Sequence, residues 1–183
     1  MDENLIVKEN EILESTYDFN GYLYRIIKCS AATDDPFDML VSIEETPEVG
    51  NIISVSKCKI VRIDYDLDYV RIAVRIDKFE VVDADTQLSK YFTIPFIGMV
   101  LKNEDSQPKV YGPDKINFIK VKLQMRDADK QVFSIFLLGF NEQADYLDSI
   151  ENKQIILGTG TLKHKNGCER YELALVTGES YNR

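Results

Sequence analysis

At 183 residues the chain has room for one large domain or two small ones, and 44% hydrophobic with 29% charged residues is the mixture of a folded globular protein. No apolar run approaches the ~20 residues of a membrane helix, and Met1-Asp2-Glu3-Asn4 lacks the basic-then-apolar order of a signal peptide. The expectation is therefore an intracellular protein of cytoplasm, nucleoid or nucleus, with no membrane partner. The net charge of −9 sits in the first half, where residues 1–91 carry 19 acidic and 10 basic side chains against twelve of each in residues 92–183; this excludes attraction of a polyanion by the overall field and leaves only a local basic strip for that role.

The first segment, residues 1–19, reads as an N-terminal arm, with Leu5-Ile6-Val7 or Glu11-Ile12-Leu13 available as an additional strand or a short helix. Residues 20–85 follow as a β domain. Its segments Gly21 to Ile27, Met39 to Ile43, Ile52 to Ile63 and Tyr69 to Val82 are β-branched and aromatic, and are separated by Asp34-Asp35-Pro36, Thr46 to Gly50 and Asp64 to Asp68. In the last, Val70, Ile72, Val74 and Ile76 alternate with Arg71, Ala73, Arg75 and Asp77, as in a strand with one solvated face.

Asp83 to Lys90 is polar, and a second domain spans 91–180. It opens with an apolar strand, Phe92 to Leu101, and a loop or irregular hairpin over Lys102 to Lys115. Two strands follow, Phe118 to Arg126 and Val132 to Phe140. Asn141 is a candidate N-cap for a helix with Ala144, Leu147 and Ile150 at helical spacing. Strands at Gln154 to Leu162 and Arg170 to Val176, joined through Asn166-Gly167, complete the set. Strand, loop, strand, strand, helix, strand, strand is the order of a five-stranded Greek-key barrel with its helix between strands three and four.

Within this domain, Phe136-Leu137-Leu138-Gly139-Phe140-Asn141-Glu142-Gln143-Ala144-Asp145-Tyr146-Leu147 resembles the strand-to-helix segment of bacterial-type single-stranded-DNA-binding proteins. Ile155-Ile156-Leu157-Gly158-Thr159-Gly160-Thr161-Leu162 is similar to that family's fourth strand, and Gly167-Cys168-Glu169-Arg170-Tyr171-Glu172-Leu173 to its glycine turn and final strand. The resemblance covers about half of the chain. It implies an oligonucleotide/oligosaccharide-binding (OB) barrel of the single-stranded-DNA-binding or replication protein A type. Strand spacing extends the expectation to an all-β protein of two tandem OB-like barrels, only the second with the short helix.

Ligand in this fold lies across strands two and three. Alternation turns Ile119, Val121, Leu123 and Met125 toward the core. Phe118, Lys120, Lys122, Gln124 and Arg126 then share the outer face along about 27 Å, at ~3.3 Å per residue. Cations beside an aromatic suit a single strand, whose phosphates they offset while the ring stacks on a base; the same pattern also solvates an ordinary antiparallel sheet. Lys163, Lys165 and Arg170, around the turn that holds the lone His164, form a candidate second clamp. On strand three, Val132, Phe136, Leu138 and Phe140 are expected to point outward. The family's stacking aromatics match Val132 and Leu138, neither aromatic here, so this row also fits a protein interface.

The remaining constellations carry little chemistry. Cys29, Cys58 and Cys168 are odd in number and widely spaced, which suits free thiols rather than disulfides or a zinc knuckle. Asp64 to Tyr69 opens like a calcium loop but has Tyr69 where glycine is needed, and Asp127 and Asp129 read as turn formers. Asp34, Asp35, Asp38, Glu44, Glu45 and Glu48 read as a solvated acidic surface, and Tyr22, Tyr24 and Arg25 as half-buried packing residues. No cofactor, metal site or catalytic residue is expected. What the resemblance implies is a non-enzymatic protein for single-stranded DNA, or RNA, in replication, recombination or chromosome-end maintenance. The alternative is an OB-fold interaction subunit of a DNA-maintenance complex, partnered by another OB-fold or replication and repair protein or by itself.

Overall fold

Twelve strands and one helix make up the computed structural model, which describes residues 2–10, 17–19, 21–33, 35–64, 71–126, 131–164 and 171–181. They divide into two compact units, Met1–Ile94 and Pro95–Arg183.

In the first unit, β1 (Glu3–Asn10), β3 (Tyr22–Ser30), β4 (Phe37–Ser42), β5 (Ile52–Asp64) and β6 (Arg71–Val82) pair in the ring β1-β3-β4-β6-β5-β1. The short β2 (Tyr17–Phe19) extends β3 as a hairpin. Every pairing is antiparallel except that of β4 with β6, the third and fifth barrel strands. This is the Greek-key closure of an OB barrel. A single 3₁₀ turn, Ile43–Glu45, stands between strands three and four.

The second unit repeats the scheme: β7 (Ile94–Leu101), β9 (Ile116–Arg126), β10 (Val132–Phe140), β11 (Ile155–His164) and β12 (Tyr171–Ser180) form the ring β7-β9-β10-β12-β11-β7. Here β10 and β12 are the parallel pair, through Leu137↔Leu173 and Leu138↔Ala174. A hairpin strand, β8 (Lys109–Tyr111), extends β9 as β2 extends β3. The helix α1 (Glu142–Ser149) lies between strands three and four, with Ala144 and Leu147 buried. The protein is thus an all-β tandem of OB barrels, the second carrying the helix.

Several sequence expectations change in detail. Glu3–Asn10, assigned to an arm, is the first strand of its barrel, because Leu5 and Val7 are buried in the core and its backbone pairs with both β3 and β5. Phe92, expected to open the second barrel, stacks on Phe37 instead, with ring centroids 5.3 Å apart. Its segment is held by the first unit, where the Ala32 and Thr33 N–H groups donate to the Ser89 and Lys90 carbonyls (2.9 and 3.2 Å). Asn141 occupies the N-cap position, yet its side chain makes no capping bond; its Oδ1 accepts from the Asn117 N–H at 3.3 Å.

The outer face of β4 and β6 also departs from expectation. Asp38, assigned to a solvated acidic surface, is 6% exposed and pairs with Arg71 at 3.1 Å. Arg75, expected on a solvated strand face, is 8% exposed; it bonds Asp77 at 2.8 Å and lies over the Tyr24 ring. Beside these pairs Ile26, Leu40, Val61, Ile63 and Ala73 form a buried cluster onto which Tyr24 packs. Charges on this face are compensated within the unit, as burial requires.

Candidate nucleic-acid interface

In the second barrel, the register of β9 against β10 decides what the outer face presents. Ile119, Val121, Leu123 and Met125 are buried, as are Phe133, Ile135 and Leu137. The outward residues then pair in rows: Phe118 with Phe140, Lys120 with Leu138, Lys122 with Phe136, Gln124 with Ser134, and Arg126 with Val132. Each cation faces an apolar side chain, so the basic strip and the apolar row are two halves of one surface. On the other flank, β7 sets Leu101 beside Lys122 and Met99 beside Gln124.

The face is divided into two grooves. The larger, about 670 Å³, is walled by the loop after β7 and by β8, and is lined among others by Lys109, Tyr111, Phe118, Lys120, Lys122 and Phe136. Two of its lining rings touch, Tyr111 meeting Phe118 edge-on at 5.7 Å, and Phe118 also lies 5.2 Å from Phe140. Such rings offer π-faces between cations, the arrangement that sequence-tolerant single-strand binding uses. The smaller groove, about 410 Å³, holds Ile97, Met99, Gln124, Arg126, Val132 and Ile155.

Lys120 differs from its neighbours. Its Nζ sits 4.0 Å from the Phe136 centroid and forms an ion pair with Glu172 on β12. To reach that carboxylate the side chain crosses β10 at the Phe136 ring. Leu138 is only 7% exposed, whereas Val132, Phe136 and Phe140 are 47%, 44% and 40% exposed. Leu138, expected on the surface row, therefore belongs to the packed interior of the sheet and offers no interface area. Lys122 and Arg126 are exposed.

Of the candidate second clamp, Lys163 is exposed near the end of β11, opposite Glu172. Lys165 and Arg170 lie outside the described residues, as do the Asn166-Gly167 turn, Cys168, Tyr65 to Val70, and Asp127 to Lys130. No cluster of three or more metal-ligating side chains occurs among the described residues. No helix among them is long and apolar enough to cross a membrane.

Sequence reasoning overlooked Lys109 and Tyr111, which the β8 hairpin brings to Phe118, and the outward residues of β7. A signal existed for the former: Lys109-Val110-Tyr111 alternates just before a Gly-Pro turn. It also overlooked Glu172, a carboxylate inside a surface read as purely basic.

The glycines of the family-like segments have steric causes. A Cβ on Gly139 would stand 2.7 Å from the Gln143 carbonyl oxygen and 2.9 Å from Leu147 Cδ1, where the first turn of α1 rests on β10. On Gly158 it would collide with the Thr177 carbonyl and the Phe96 ring.

No protein-family model matches the chain, and no curated protein matches it. Among solved structures, the wild-type single-stranded DNA binding protein from Thermus aquaticus is similar at a TM-score of 0.64 and 13% identity, over 100% of this chain and 94% of that one. A deletion mutant of the same Thermus aquaticus protein gives 0.63 and 12%, over 100% and 95%. At such identity the likeness is one of fold, and it extends over both barrels. The chain shares the fold of that Thermus aquaticus protein along its whole length.

Proposed function

We propose that the protein binds single-stranded nucleic acid, DNA before RNA, through the outward face of β9 and β10 in its second barrel, without chemistry of its own. It would act in replication, recombination or chromosome-end maintenance. The observation that carries this reading is the larger groove, where Tyr111 and Phe118 touch among Lys109, Lys120 and Lys122, with Phe140 packed against Phe118. The fold shared with the Thermus aquaticus protein supports it. In the first barrel Arg71 pairs with Asp38 and Arg75 with Asp77, which supports contact with the strand through the second barrel.

Fluorescence anisotropy with a labelled oligothymidylate at low salt tests the proposal, with the matching oligouridylate for comparison. Saturable binding in the micromolar range is expected. Lys109→Ala with Lys122→Ala should weaken it and lower the log-log salt slope by about 1.4, from ~0.7 per phosphate contact on a single strand. Absence of binding at tens of micromolar overturns the reading.

The smaller groove favours a second reading, an interaction subunit, because Ile97 and Val132 are exposed there around an apolar floor. A self-associated species in sedimentation that Val132→Glu dissociates would support it.

A further inference from the structure

We propose that Glu172 is a built-in competitor for the phosphodiester backbone at Lys120, setting how tightly the second barrel holds a strand. The inference rests on the single-strand reading above.

Lys120 lines the larger groove between Phe118 and Lys122, where a phosphate neutralised by the strip would lie. Its ammonium is nevertheless committed to the Glu172 carboxylate on the far side of β10, and it covers the Phe136 ring on the way. The pair is neither deeply buried nor free in solvent, with side chains 32% and 15% exposed. Pairs that water reaches contribute little to folding, so nothing in its energetics prevents exchange of one anion for another. A carboxylate presents to the ammonium what a phosphate presents, two oxygens sharing a negative charge. When a strand binds, the phosphate takes the ammonium and leaves Glu172 uncompensated beside a polyanion. Lys163, opposite Glu172 in register, is the nearest cation on β11 that the register provides for it. In the free protein Lys120 therefore adds almost no net positive charge to the groove, although the sequence places it at the strip's centre.

The test is anisotropy of the full chain with labelled oligothymidylate at several salt concentrations, comparing wild type, Glu172→Gln, Lys120→Gln and the double variant. Glu172→Gln is expected to bind about two- to fivefold more tightly, the range of an ion pair that water reaches, with the salt slope little changed because Lys120 meets a phosphate in both proteins. The gain in affinity should vanish in the Lys120→Gln background, because a coupling specific to the pair disappears with either partner. Thermal melting should show Glu172→Gln as stable as wild type to within a few degrees. If wild type binds and Glu172→Gln binds equally or more weakly, or if the gain persists without Lys120, the role of Glu172 is overturned while the single-strand reading stands. If neither wild type nor Glu172→Gln binds, the single-strand reading falls and this inference with it.

Discussion

Phe118 and Phe140 are register partners on β9 and β10, and their rings stand 5.2 Å apart with a 45° tilt, Phe118 lining the larger groove. Tyr111 completes the group by touching Phe118 edge-on. Phe118 is thus the shared member of two ring contacts. Phe118→Ala is expected to weaken oligothymidylate binding by about 1–3 kcal/mol, the range for one stacked base. Its salt slope should not change, since no charge is lost. An unaltered dissociation constant would show that this ring group does not meet a base.

Phe136 and Leu138 were expected to play the same part, and the structure separates them. Leu138→Ala removes a packed side chain and is expected to cost roughly 2–5 kcal/mol, a fall in Tm of about 10 °C or more for a barrel of this size. Phe136→Ala, at a half-exposed position, should change stability far less and affect binding instead. Denaturant melts of the two variants compare the positions directly.

Gly139→Ala places a methyl group against the Gln143 carbonyl, which belongs to helix backbone and cannot rotate away. The expected loss is about 1–3 kcal/mol, typical of overpacking, read as a lower Tm. A neutral result would mean that α1 can slide on β10.

The Cys58 thiol is pushed up to about 12, by burial first and then by the Asp77 and Glu3 carboxylates. Burial also raises the Cys29 thiol. A raised folded-state value means that the unfolded chain loses its thiol proton first. The contribution to stability is complete below the ordinary thiol value of 9.0 and declines as pH rises from there toward 12. Tm should fall over that window, and less steeply in Cys58→Ala. At pH 8, iodoacetamide should label Cys58 much more slowly in the native protein than in urea, as peptide mass mapping would show.

What the sequence made legible depends on how local the deciding interaction is. Alternation in Phe118 to Arg126 placed the core and outer residues of β9 correctly, because an antiparallel strand with one solvated face writes its geometry into its own residues. The same rule failed at Leu138, which is buried although alternation sets it on the outward side of its strand. It failed at Asp38 because an ion pair between separate strands looks, in each strand alone, like a solvated charge, and at Arg75 because the ring it lies against, Tyr24, comes from another strand. The first strand was obscured by the polar Lys8-Glu9-Asn10 that follows its apolar centre. Residues that converge on the site from β7 and β8 became visible only once register had set them beside β9.

The parallel pairing of β10 with β12 has a bearing on how the second barrel comes into being. Leu137 finds Leu173 only after the helix and the whole of β11 have been made, so a nascent chain emerging from the ribosome exposes one edge of β10 until the last barrel strand follows. Barrels closed by such distant pairings fold slowly, and an unpaired edge of Phe, Ile and Leu residues is open to other chains in the meantime. The protein is therefore most vulnerable to misassembly during its own synthesis, in the interval between the third strand and the fifth.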